Sequence, residues 1–162
     1  MLVAGVGPVE LLQKPLTAFF ASRQCSGTAI RAATAWALQQ VRRRHALIGG
    51  FHSPLEQSVL RLALEAGTPV VLVLARPVAD ASLRSVWRAA LSKGTMAVVS
   101  ISAASDRLTE QAALDRNELA ARLADQIVIA HASPGGQLNQ QSARWLAEGL
   151  RVEWITTGSG AG

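Results

Sequence analysis

Gln126-Ile127-Val128-Ile129-Ala130-His131-Ala132-Ser133-Pro134-Gly135-Gly136-Gln137 passes from an unbroken apolar run into a proline and glycine turn. Leu138, Trp145 and Leu146 then continue at helical spacing. A strand with no polar alternation is buried on both faces, as in a parallel sheet flanked by helices. Working outward, short apolar runs recur near Leu16 to Ala21, Ala46 to Ile48, Pro69 to Leu74, Met96 to Ile101, Gln126 to Ala130 and Val152 to Ile155. Longer amphipathic segments separate them. Leu83, Val86, Trp87, Ala90 and Leu91 form one apolar stripe and Leu55, Val59, Leu62 and Ala63 another, each at the spacing one buried helix face requires. Repeated strand and helix units predict an α/β chain: a three-layer, Rossmann-like fold with a mostly parallel sheet of about six strands.

Length and composition agree with that architecture. The 162 residues suit one domain, read as 1–156, followed by a flexible Gly- and Ser-rich tail from Thr157 to Gly162. Hydrophobic residues make up 49% and charged residues 17%, which excludes a disordered chain. No apolar run approaches the roughly 18 residues that a membrane span requires. Met1 to Gly7 lacks a basic segment leading into a long apolar stretch, so a signal peptide is not expected, and the lone Cys25 has no partner for an internal disulfide. These features point to the cytoplasm. The net charge of +5 is carried almost wholly by arginine, whose planar fork suits phosphate. Charge alone leaves two readings, anionic partners or a solvated basic surface.

Ligands of parallel sheets gather at the carboxyl ends of the strands, so the loops there carry the chemistry. Ser22-Arg23-Gln24-Cys25-Ser26-Gly27 precedes a helix whose free N–H groups would grip an anion; the other reading is an ordinary turn with Ser26 as N-cap. The glycine and lysine spacing of a Walker loop is missing. Gly49-Gly50-Phe51-His52 leads into a helix opened by Ser53, Pro54 and Glu56, the signature of a capping box. Its paired glycines allow close backbone approach to a ligand. His52 has no acid or nucleophile spaced beside it, so it reads as structural or ligand-contacting rather than as a catalytic base.

Further along, Ala112, Arg116, Ala120 and Leu123 share one helix face, and an arginine on that face needs a counter-charge. A ligand phosphate or a neighbouring carboxylate would each serve. Ser133, Gly135, Gly136 and Gln137 form a turn before a helix, a suitable phosphate cradle. Trp36, Trp87 and Trp145 lie on apolar helical faces and read as core packing rather than base-stacking platforms. One cysteine and three scattered histidines offer no metal-ligand spacing, and neither a nucleophile elbow nor a paired-carboxylate pattern is present. No cofactor and no catalytic residue are expected.

Taken in order, the loops resemble the Rossmann-like core of the DprA/Smf DNA-processing proteins, within the superfamily that includes the LOG-type nucleotide phosphoribohydrolases. The resemblance rests on Ser22-Arg23, Gly49-Gly50, Arg116-Asn117 followed by Leu123 to Ala130, and Gly135-Gly136. Glu118 replaces the second arginine of the family's Arg-Asn-Arg motif. The resemblance implies that Ser22, Arg23, Gly49, Gly50, Arg116, Asn117, Gly135 and Gly136 surround a nucleotide phosphate. It also implies a nucleotide or single-stranded DNA as partner. Pro134-Gly135-Gly136 begins the LOG-type motif, but Leu138 and Asn139 replace its Gly-Thr, and the helix that follows carries Gln141 and no glutamate. An amide takes no proton at neutral pH, so cleavage of a glycosidic bond by that mechanism is disfavoured. The expected function is therefore binding, in DNA processing or uptake. A LOG-like nucleotide-processing enzyme and a nucleotide-sensing homo-oligomer are the alternatives.

Overall fold

A computed structural model describes residues 3–77, 83–101 and 109–155. The expected tail from Thr157 to Gly162 lies outside the described residues. Among the described residues seven strands form one sheet: β1 (Val3–Val6), β2 (Leu16–Ala21), β3 (Ala46–Gly49), β4 (Val70–Val73), β5 (Met96–Ile101), β6 (Gln126–His131) and β7 (Val152–Trp154). Their spatial order is β1-β5-β4-β3-β2-β6-β7. Every neighbouring pair is parallel except β1 with β5.

Among the described residues a 3-10 helix (Val9–Gln13) separates β1 from β2, and five α-helices alternate with the strands after β2: α1 (Gly27–Arg42), α2 (Pro54–Ala66), α3 (Ser85–Ser92), α4 (Glu110–Leu123) and α5 (Gln137–Ala147). Phe19 and Phe20 explain how the layers form. Successive strand residues face opposite sides, so Phe19 joins the core cluster that holds Ala33 and Ala37 of α1, Val59 and Ala63 of α2 and Ala90 of α3. Phe20 joins instead the cluster with Leu119 and Ala120 of α4 and Trp145 of α5. The sheet is thus a middle layer with α1 to α3 on one face and α4 and α5 on the other. Burying a large side chain such as Phe19 or Phe20 contributes about 1.5–3 kcal/mol each. Trp36 stacks on Phe19 at 5.3 Å, while Trp145 is fully buried 5.1 Å from Phe20. The indole Nε1 of Trp145 donates to Glu118 at 3.0 Å, so its polar edge is satisfied.

The expected α/β, three-layer, mostly parallel architecture is the one observed. The expected count of six strands omitted β1, whose Val-Ala-Gly-Val has little strand signal of its own; pairing with β5 supplies its order. Pairing also extends β3 to Gly49, opposite Leu72, and β6 to His131, opposite Ala21.

From β2 the chain steps through β3 and β4 to β5 on one side, and then returns to place β6 and β7 on the other. The winding reverses between β2 and β6. At such a reversal the loops leaving the two strands open a crevice at their carboxyl ends.

Candidate functional site

At this crevice the backbone is stitched across. The β2 and β6 register shifts between Phe20 and Ala21, an irregularity that re-aims the chain as it leaves the sheet. The Ser22 N–H donates to the His131 carbonyl at 2.9 Å, and the Ser133 N–H donates to Ser22 Oγ at 2.9 Å. Ser22 and Ser133, 111 positions apart, are thus held together.

Ser133 opens the turn that follows. The Gly136 N–H donates to the Ser133 carbonyl at 2.9 Å, with Pro134 second in the turn and Gly135 third at φ 72°. Proline then a positive-φ glycine is the chemistry of a type II turn. Gly136 caps α5, and having no side chain it leaves the first-turn N–H groups beginning at Gln137 uncapped by any side chain. These donors carry the positive end of the helix dipole. Gly135 and Gln137 are exposed at this rim.

The first loop resolves its two readings in part. Ser26 is the N-cap of α1 and its Oγ accepts from the Ala29 N–H at 3.1 Å, so this hydroxyl serves the helix. Gly27 begins the helix and is exposed, as is Arg23.

The loop after β3 is organised by Glu56. Its Oε1 accepts from the His52 N–H at 2.9 Å and the Ser53 N–H at 3.0 Å, while Oε2 accepts from the Ala21 N–H at 2.9 Å. The capping box expected from Ser53 and Glu56 is complete. Its carboxylate does more than cap, because it also ties the α2 entrance to the end of β2. Between them, buried Phe51 is held at φ 48°, a conformation that bulky residues rarely adopt.

Gly50 makes the closest approach. A Cβ there would lie 2.3 Å from Arg116 Nε and 2.4 Å from Arg116 Cδ, so the guanidinium of α4 rests directly on the Gly50 backbone. The Arg116 side chain is partly buried, and burial lowers its pKa from the ordinary arginine value, with the Glu56 carboxylate opposing. Glu56 already accepts three backbone donors, and among the described residues no carboxylate forms an ion pair with Arg116.

Asn117 steers this cation. Its Oδ1 accepts long hydrogen bonds from Arg116 Nε and Nη2, both at 3.4 Å, and its Nδ2 donates to Gln141 Oε1 at 3.2 Å. Buried Gln141 in turn donates to the Leu114 carbonyl at 3.1 Å and to Glu118 at 3.4 Å. Gln141 is therefore engaged between α4 and α5. Glu118 pairs with Arg144 and accepts from Trp145, so where the resembled motif has arginine this chain has an interhelix bracket.

His52 is exposed beside this cation. Partial burial is the main cause that lowers its pKa from the ordinary histidine value; Arg116 and, more weakly, Arg23 add to this against Glu56. Arg23 and Arg116 thus act on one imidazole from two different segments of the chain.

Next to the rim, Gly50, His52 and Arg116 also line a cavity of about 580 Å³ between α2, the end of β4 and α3. Arg61, Arg76 and Arg84 also line it, and Trp87 forms part of the wall. Sequence patterning places none of these four at a site and assigns Trp87 to the core. Trp87 is half-buried: it packs against the core while still facing the cavity. The Arg84 guanidinium sits 5.3 Å from its ring centroid. The Arg84 and Trp87 spacing, one helical turn, is the signal in the sequence that could have found the pair. Among the described residues no group of three or more His, Cys, Asp or Glu side chains is placed to hold a metal. No helix there is long and apolar enough to cross a membrane.

Residues 1–148 match the family described as DNA recombination-mediator protein A. No curated protein sequence matches the chain. Among solved structures, DNA processing protein A (DprA) from Streptococcus pneumoniae is similar with a TM-score of 0.78 at 20% identity, covering 98% of this chain and 56% of that one. The chain therefore spans little more than half the length of that relative. DNA processing protein A from Helicobacter pylori, described for its single-stranded DNA binding mode, gives a TM-score of 0.73 at 14% identity over 94% of this chain and 70% of that one. The molybdenum cofactor carrier protein of Chlamydomonas reinhardtii is more distant, with a TM-score of 0.57 at 16% identity over 87% of this chain and 75% of that one.

Proposed function

The chain belongs to the DNA recombination-mediator protein A family, and from that premise we propose that it binds the phosphates of single-stranded DNA, or of a nucleotide, at the carboxyl rim of its sheet. One observation carries the reading: Arg116 is partly buried against Gly50 with no carboxylate paired to it among the described residues. A cation held so is costly unless an anion joins it. Arg23, the first-turn N–H groups of α5 beginning at Gln137, and the Gly49-Gly50 backbone are the further donors and approach surfaces. Ser22, Ser26, Ser133 and Asn117 hold loops and side chains in position, and His52 adds a titratable donor. The H. pylori relative's description as a single-stranded DNA binder supports the choice of ligand. The lack of any glutamate in α5, Gln137–Ala147, favours binding over LOG-type hydrolysis.

The work of such a module is DNA processing in the cytoplasm. Self-association belongs to the same reading: Leu146 on α5 and Trp154 on the end strand β7 are 59% and 49% exposed, apolar surface suited to a second copy.

Titrating a fluorescent single-stranded oligonucleotide by anisotropy at several salt concentrations tests the proposal. Affinity should fall steeply with salt. Arg23→Ala and Arg116→Ala should each reduce the log–log slope by about 0.7 for every phosphate left without its cation. Absence of binding at low salt, or affinity indifferent to salt, removes the proposal.

A further inference from the structure

Resting on the reading of the rim as a phosphate site, we infer that the adjoining cavity between α2 and α3 is a subsite for one unstacked nucleobase of a single strand, walled by Trp87 and Arg84 and flanked by arginines that hold the neighbouring phosphates.

The volume of about 580 Å³ is far more than a phosphate needs and falls within the range of small-molecule sites. Its walls are of two kinds. Leu60 and Leu64 of α2 with Val86 and Trp87 of α3 offer apolar surface, and Val86 is 60% exposed although it has a large apolar side chain. Four guanidinium groups, Arg61, Arg76, Arg84 and Arg116, line the same space against one carboxylate, Glu65. Among the described residues none of the four is in an ion pair. A purely apolar ligand would leave those charges unanswered, and an inorganic anion would leave the apolar walls wet. A nucleobase with its phosphates answers both.

The Arg84 and Trp87 pair supplies the recognition surface. Indole rings and guanidinium planes both stack on bases, and every base has a π-face, so the contact needs no particular sequence. Bases in a duplex are stacked and paired and have no planar body to insert, so the cavity selects a single strand. Because Arg116, Gly50 and His52 belong to the rim and also line the cavity, a strand phosphate held at Arg116 leaves the next base beside the cavity.

The test compares a labelled thymidylate 20-mer with a fully abasic strand of equal length and charge, by anisotropy at one low salt concentration. The wild-type protein should prefer the base-bearing strand by about 5- to 150-fold, the range of one base–aromatic stack. Trp87→Leu should reduce that preference to near unity and abolish the quenching of tryptophan emission by the base-bearing strand, while its affinity for the abasic strand is retained. Equal wild-type affinity for the two strands overturns the subsite and leaves the phosphate rim standing; so does a preference that survives Trp87→Leu. Failure of the wild-type protein to bind either strand overturns both. The wild-type comparison needs no variant, so misfolding of Trp87→Leu cannot rescue the idea.

Discussion

Replacing Gly50 by alanine separates the rim's chemistry from its stability. The new methyl would stand 2.3 Å from Arg116 Nε, 2.4 Å from Cδ and 3.0 Å from Cζ. Carbon contacts settle near 3.5–4.0 Å, so the end of the arginine must retreat by about 1 Å or more. The backbone itself can accept alanine, since Gly50 is not among the positive-φ glycines. What moves is the far end of a flexible side chain. The fold should therefore change by less than about 1 kcal/mol, the usual range for a substitution with no core cavity or buried orphan. A charged hydrogen bond to a phosphate contributes about 1.5–3 kcal/mol, and its removal weakens binding by about 10- to 150-fold. Anisotropy with a labelled oligonucleotide and urea unfolding of the same preparation supply the two numbers. If Gly50→Ala binds like the wild type at low salt, Arg116 is not held where the ligand lies. A drop in stability as large as the drop in binding would show that Gly50 matters for folding instead.

Three further outcomes follow from single residues. His52 has a lowered pKa, so it binds fewer protons in the free fold than in the unfolded chain as pH falls through about 6.5. Stability contributed by the neutral ring is present above that pH and is lost as pH falls toward the folded pKa, whereas a bound phosphate would favour the imidazolium. Oligonucleotide affinity should consequently rise on acidification below about pH 6.5, and His52→Gln should flatten that rise in an anisotropy titration. Glu56→Gln places an amide NH2 against backbone donors and should cost about 1.5–3 kcal/mol in urea unfolding, since at least one charge-assisted bond disappears; an unchanged midpoint would mean the carboxylate is dispensable. Gly135→Ala meets nothing within 4 Å but must adopt φ 72°, so calorimetry should register only the left-handed penalty of about 1–2 kcal/mol.

Periodicity carried the fold. The apolar runs at Leu16 to Ala21 and Gln126 to Ala130, the stripe on α2 and the Ser53 and Glu56 capping signature are local patterns, because strand burial and helix amphipathicity repeat within a few residues. They determined the α/β class and the order of the elements from β2 onward, and they marked the loops at the strands' carboxyl ends. Long-range pairing decided the rest. The weak Val3–Val6 strand exists because β5 offers its edge, and Ser22 meets Ser133 across 111 positions because β2 and β6 are neighbours at the reversal of winding. No spacing in the chain could say that Arg116 rests on Gly50 rather than on a carboxylate, or that Glu56 reaches back to Ala21. Nor could it bring Arg61 and Arg76 to the Arg84 and Trp87 pair, because they come from α2 and the loop after β4. A residue's neighbours along the chain set its conformation, but the charges and surfaces it faces belong to segments folded against it from far away.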